Sequence, residues 1–299
     1  MTKLLCFIIF LLSFIGFSQV ENYTVKSHEI NTEYPHFGLM LLSDSKLIFT
    51  TYLLDRKDRL KRLEGNPILA IFESDVDGFG GILNIKDIVI DSNEKINYIT
   101  SATMSSNGKQ LFITTTIDEN NITEDNFLIK VGEFKSGKGW TNFKTLPFCN
   151  PKYSYAHPSL SADGKTLYFT SNIRGGKETT RGGSDIFKVD VLGDNTFSEP
   201  QNLGSKVNSY SREMFPFMAT DGTLYFASNR PNGFGGYDIY KCKKNAHGAF
   251  EKAEKLPEPI NSDKDDFSFV INSKNTAGYF SSKREKGKGS DDVYFFMRH

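Results

Sequence analysis

Between Phe215 and Lys241 the apolar and polar positions alternate in twos, interrupted by glycine. Phe215–Ala219 is an apolar run, Asp221-Gly222 marks a tight turn, and Leu224, Phe226 and Ser228 then alternate with Tyr225, Ala227 and Asn229. A period of two is what a strand imposes on side chains that point to opposite faces. A glycine-rich loop (Asn232, Gly233, Gly235, Gly236) leads into Tyr237-Asp238-Ile239-Tyr240, rich in strand-forming residues. The stretch predicts three short antiparallel strands. Such a unit is barely stable alone, so it must be buried against others like it.

The sequence supplies the others by repetition. Pro158–Val189 copies the unit, with Asp163-Gly164 at the turn, Leu167-Tyr168-Phe169 in the second strand and Ser184-Asp185-Ile186-Phe187 in the third. Phe267–Phe296 is another copy, and Thr103–Val131 and Leu39–Phe72 are fainter ones. The central pair of the second strand recurs from residues 48, 112, 168, 225 and 279, at the spacing of one propeller blade. A second piece lies between these units. It runs Phe197…Leu203…Val207-Asn208 and again Phe250…Leu256…Ile260-Asn261, more loosely Trp140…Leu146…Cys149-Asn150 and Val89…Ile96-Asn97, and once more at the start of the chain, Val20 to Asn31. Five three-strand sets and five connecting strands make a ring in which every piece is used once, provided that the first connector completes the last blade. Closure of this kind also removes exposed strand edges. The expected fold is all-β: a five-bladed β-propeller of four-stranded antiparallel blades, closed by pairing of the N- and C-terminal strands. Six blades are the alternative, because Phe49 to Phe112 is the widest gap and Asp87 to Asp91 could supply an extra strand.

The repeated residues SxDGKTLYFTSNRxGGxGGxDIY resemble the WD-like propeller repeats of TolB-type proteins of bacterial envelopes. The likeness is strong in the third and fourth units, fair in the fifth and weak in the first two, which lack the GGxD loop. The resemblance implies a rigid binding platform of the kind often fused to an OmpA-like peptidoglycan-binding domain. Because the last unit runs to His299, peptidoglycan anchoring is not expected.

Met1–Ser18 reads as a secretory leader, with Lys3 before an apolar core and small residues Gly16 and Ser18 at the cleavage site. The expected location is therefore the periplasm or the exterior, with no stable membrane insertion once the leader is removed. Residues 19–299 are read as one propeller domain. Basic and acidic residues number 36 each, and this balance argues against nucleic acid as the partner. Cys149 and Cys242 fall two blades apart, too far to bridge, so stability rests on the core, to which many of the 22 phenylalanines outside the leader are expected to belong.

No nucleophile elbow, P-loop, HExxH or CxxC pattern occurs, and the five histidines show no metal-ligand spacing. Asp185, Asp238 and Asp292 stand where a short carboxylate can cap the amides of the preceding glycine loop. Calcium is the alternative occupant of such an oxygen-rich loop, and no other cofactor is expected. Two sets of loops should converge on one face of the ring and bring together Tyr155, His157, Arg174, Tyr210, Arg212, Glu213, Arg230, Asp266 and Arg284. Aromatic rings and arginines around a central funnel make a binding surface. The expected function is a non-catalytic binding or scaffold module for an envelope protein or glycan. The alternative is a glycoside hydrolase using Glu213 and Asp266 as acid and base. The charged stretch Tyr52–Pro67 is expected to be a solvated loop or a partner-specific insertion. Asn22-Tyr23-Thr24 and Asn121-Ile122-Thr123 match the glycosylation sequon but would stay bare in a bacterial envelope protein.

Overall fold

A computed structural model describes residues 21–96, 98–116, 126–175, 178–193, 195–285 and 287–299. The leader, the sequon at 121–123 and Asn97 lie outside the described residues. The chain is an all-β five-bladed propeller. Blade 1 comprises Phe37–Ser43, Lys46–Tyr52, Leu69–Val76 and Ile82–Asp87; blade 2 comprises Ile99–Met104, Gln110–Thr116, Phe127–Lys135 and Gly139–Thr145. Blade 3 is built from Tyr155–Leu160, Thr166–Ser171, Asp185–Gly193 and Gln201–Asn202, with the short strand Thr196–Phe197 added to the end of its third strand. Blade 4 holds Glu213–Met218, Leu224–Ser228, Asp238–Cys242 and Glu254–Lys255. Blade 5 holds Asp266–Ile271, Ala277–Ser282 and Asp292–Arg298, and its outer strand is the N-terminal Tyr23–Ser27. All pairings within blades are antiparallel; for example, Tyr23 faces Arg298 and Ser27 faces Tyr294.

The widest gap in the repeat spacing conceals no sixth blade. The outer strand of blade 1 is Ile82–Asp87, where Val89…Ile96-Asn97 was expected. Val89 and Ile90 instead lie beside the outer strand of blade 2: the Val89 carbonyl accepts from the Trp140 amide at 2.9 Å, and Ile90 forms a parallel bridge with Trp140. Part of the extra length in blade 1 is the charged 52–67 stretch, which folds into a two-stranded hairpin, Arg62–Leu63 against Asn66–Pro67.

Burial follows the strand pattern. The middle strands are the most buried: Leu224–Ser228, Asp238–Cys242 and Ala277–Ser282 are buried at every position. Aromatic rings fill the wedge between blades. Tyr225 of blade 4 stacks on Phe269 of blade 5 at 4.7 Å between centroids, and Phe269 stacks in turn on Phe296 at 4.8 Å. Each such ring is worth about 1.5–3 kcal/mol when fully buried. Cys149 and Cys242 are both free thiols, and burial pushes each up to about 12.

Three of the seams between blades are joined at the same place. The amide opening an inner strand donates to the carbonyl just before the preceding blade's third strand: Glu213 to Ser184 (2.9 Å) and Asp266 to Tyr237 (2.7 Å). His36 to Asp291 at 2.8 Å repeats the link across the seam between blades 5 and 1. A short link of this kind requires the loop before the third strand to press on its neighbour. A Cβ on Gly182 would stand 2.0 Å from the Ser211 carbonyl oxygen, and one on Gly235 would stand 2.2 Å from that of Lys264. Glycine is needed there for lack of space, with no special φ involved.

Candidate binding funnel

Three polar devices recur in the scaffold under the loops. In the first, the aspartate that opens the third strand caps the glycine loop. Asp185 accepts from the amides of Arg181 (2.8 Å) and Gly182 (3.2 Å), Asp238 from Phe234 (2.9 Å), and Asp292 from Gly289 (3.1 Å). All three are buried. Among the described residues, no three His, Cys, Asp or Glu side chains form a group able to hold a metal.

The second device is an asparagine from the connecting segment that hydrogen-bonds both backbone groups of the residue after that aspartate. Asn208 serves Ile186 at 2.8 and 2.9 Å, Asn261 serves Ile239 at 2.7 and 3.0 Å, and Asn31 serves Val293 at 2.8 and 2.9 Å. Asn150, aligned loosely with these, does not join the set; its side chain accepts from the Lys152 amide instead.

The third device takes four of the predicted surface residues out of the face. Glu213 is fully buried and pairs with Arg230 at 3.1 Å, while its oxygens also accept from the Ser209 amide and hydroxyl and the Ser228 hydroxyl. Blade 5 repeats the arrangement: Asp266 pairs with Arg284 at 2.9 Å and accepts from Ser262. Each arginine also donates to a carbonyl of the connecting segment, Val207 for Arg230 and Ile260 for Arg284. Each guanidinium lies over rings of its own blade: Arg230 is 4.5 Å from the Tyr240 centroid and Arg284 is 4.9 Å from that of Phe280. Desolvation raises the Asp266 carboxyl, while the Arg284 charge and hydroxyl donors act to lower it. Blade 3 has Tyr155 and Ile173 at the matching positions, and Tyr155 is buried against Phe148 and Phe169. Five of the nine predicted face residues (Tyr155, Glu213, Arg230, Asp266 and Arg284) are therefore built into blade interiors. The two acids of the hydrolase alternative are among them, each clamped within its own blade.

The remaining four are at or near the loops. Arg174 donates to the Gly182 carbonyl at 2.7 Å and braces the blade 3 loop. Tyr210 is 82% exposed, with the Arg181 guanidinium 4.9 Å from its ring centre. His157 and Arg212 line a cleft of about 450 Å³ at the mouth of the ring, together with Phe215, Phe37 and Asn172.

What shapes this cleft is a bulge shared by all five inner strands. Pairing with the second strand slips between Phe37 and Met40, Ile99 and Ser101, Ala156 and Ser159, Met214 and Phe217, and Phe267 and Val270. The extra residue has a positive φ in four blades: Gly38 (63°), His157 (54°), Phe215 (51°) and Ser268 (52°). A left-handed backbone at a residue as bulky as phenylalanine is an outlier, and such strain gathers at functional positions. The bulge brings rings together across blades. His157 and Phe215 stack with centroids 3.7 Å apart, and Phe215 meets Phe267 at 5.3 Å. Burial drives the His157 imidazole down to about 3, so it is neutral at ordinary pH. The alternation does not reveal Phe215 and Phe37 because a bulge breaks the period by which facing is read, and Asn172, just past the second strand of blade 3, carries no sequence signal.

The sequence matches no protein-family model and no curated protein. Among solved structures, the chain is similar to a thermostable family-43 glycoside hydrolase at 13% identity and a TM-score of 0.52, covering 91% of this chain and 92% of that one. It is also similar to a putative TolB from Agrobacterium tumefaciens, at 13% identity and a TM-score of 0.48, over 84% of this chain and 71% of that one. A puromycin-hydrolyzing peptidase of Mycobacterium tuberculosis matches at 15% identity and a TM-score of 0.47, over 84% of this chain; the chain spans about a third of that peptidase's length. At these identities the likeness concerns the β-propeller fold alone.

Proposed function

We propose that the chain is an exported, non-catalytic propeller that binds an envelope protein or glycan in the funnel lined by His157, Arg212 and Phe215. The observation that carries this reading is the strained inner-strand bulge, which spends backbone energy to hold aromatic rings around a cleft of ligand size. Two further features agree with it: the leader pattern supports export, and the buried pairing of Glu213 and Asp266 leaves neither acid beside the cleft as an unpaired base. The test uses the purified chain as bait for envelope extracts and on a glycan array, alongside Arg212→Ala, Phe215→Ala and the distant surface variant Lys252→Ala. Recovery by the parent and Lys252→Ala, with loss in the two cleft variants, is the expected result. Equal recovery by all four would move binding off this face.

A further inference from the structure

Apart from hydroxyls, the side-chain polar groups left over at the cleft are donors. Its described lining residues include no carboxylate, and the acids at the start of the inner strands of blades 4 and 5 are already occupied: Glu213 by Arg230, Asp266 by Arg284, and Asp265 by Lys283 at 3.0 Å and by the Tyr237 amide at 2.9 Å. The Ser184 hydroxyl donates to the Glu213 carbonyl. Asn172 has its carbonyl oxygen engaged by the Ser154 amide at 2.7 Å, and its NH2 has no protein acceptor among the described residues. His157 uses Nδ1 to accept from the Phe215 amide at 3.4 Å, which assigns the hydrogen to Nε2 and makes that nitrogen a donor. Arg212 is exposed and pairs with no acid among the described residues; its guanidinium shares a hydrogen bond with the Tyr237 hydroxyl. Three donors, one of them cationic, therefore surround an apolar well walled by Phe37, Met214 and Phe215.

Resting on the reading of this cleft as the binding site, we infer that its ligand is an apolar group bearing a carboxylate, with the carboxylate on Arg212 and the apolar body against Phe215. A cationic ligand would find no free carboxylate here, and an uncharged polyol would leave the guanidinium without a counter-charge. A peptide chain terminus ending in an apolar residue and a free carboxylic acid share this chemistry. The peptide fits the cleft better, since the Asn172 and His157 donors could take main-chain carbonyls behind the terminal carboxylate.

Fluorescence anisotropy with the full chain separates these cases. Labelled Gly-Gly-Leu-Phe is used with a free C-terminus and with an amidated one, and 3-phenylpropionate serves as a competitor. The free acid should bind at least about tenfold more tightly than the amide, the charge-assisted contact being the difference. Arg212→Ala should abolish that preference, and Arg212→Lys should keep part of it. Rising salt should weaken the acid and spare the amide. Competition by 3-phenylpropionate at equal potency would assign the site to free acids, and its failure to compete would assign it to chain termini. Equal binding of acid and amide, an unchanged preference in Arg212→Ala, or no saturable binding of either probe would overturn the inference. Because Arg212 is exposed, its variants should melt with the parent. Should an envelope ligand be lost in Phe215→Ala yet be unaffected in Arg212→Ala, the binding face stands and only the carboxylate assignment falls.

Discussion

Asn31 and Val293 are 262 residues apart in the chain, yet the asparagine side chain accepts from the Val293 amide at 2.8 Å and donates to its carbonyl at 2.9 Å. The bond repeats what Asn208 and Asn261 do within continuous stretches of chain. The ring is therefore closed by the same device that fastens the connecting segments of blades 3 and 4.

Removing that device should destabilise each site by a similar local amount. Asn208→Ala and Asn261→Ala each strand a buried amide and carbonyl, at a cost of about 1–3 kcal/mol. Asn31→Ala should cost as much and also loosen the terminal strand. Deleting Glu21 to Ser27 goes further: it exposes the edge of Asp292–Arg298 and removes Glu21, which pairs with Lys241 of blade 4 at 2.6 Å and with Arg298 at 2.9 Å. Urea unfolding of the four variants checks this order. A deletion variant as stable as Asn31→Ala would show that the strand adds nothing beyond the asparagine.

The buried pairs in blades 4 and 5 have a natural alternative in blade 3. Arg230→Ala should cost about 3–5 kcal/mol by leaving the Glu213 carboxylate unpaired in the interior. Glu213→Tyr with Arg230→Ile installs the residues of Tyr155 and Ile173, and should recover much of that loss. Each single change should not. Thermal melts of the double-mutant cycle give the coupling directly.

Acid should weaken the fold well before carboxylates protonate. His157, held at about 3, stays neutral in the folded chain while unfolded histidine takes a proton near 6.5, and burial lowers His28 and His36 in the same direction. The unfolded state then binds more protons, so stability is lost as pH falls below about 6.5. For His157 the loss continues toward about 3. Each fully discriminating histidine contributes a slope of about 1.4 kcal/mol per pH unit. His157→Asn, which tolerates a positive φ, should flatten the profile between pH 6 and 4 by up to that slope. An unchanged profile would mean that His157 is protonated in the fold.

Crowding at the glycine loops predicts sharp intolerance. Gly182→Ala and Gly235→Ala place a methyl group against backbone oxygen of the next blade, and should each cost about 1–3 kcal/mol or more. Gly78→Ala makes a useful comparison, because its Cβ would meet nothing within 4 Å and only its φ of 76° opposes the change. Melting temperatures rank the three.

Much of this protein is legible one residue at a time. Strand alternation, the Asp-Gly turns and the five-fold recurrence define blades, and the leftover connector at the start of the chain requires closure by the termini. These are local properties, set by side-chain period and by φ preference, so neighbours in sequence report them. The aspartate caps belong here too, since each reaches only three or four residues back. Other features depend on who meets whom across blades. Whether Glu213 and Arg230 face solvent or each other is decided by a pairing 17 residues apart and by the burial of both. The outer strand of blade 1 falls at Ile82–Asp87 because Val89 and Ile90 are taken up by the neighbouring blade. The funnel was the hardest feature to foresee. A bulge shifts the period by one residue at the inner-strand mouth, so Phe215 stacks on His157 from another blade, and only the packed ring fixes that contact.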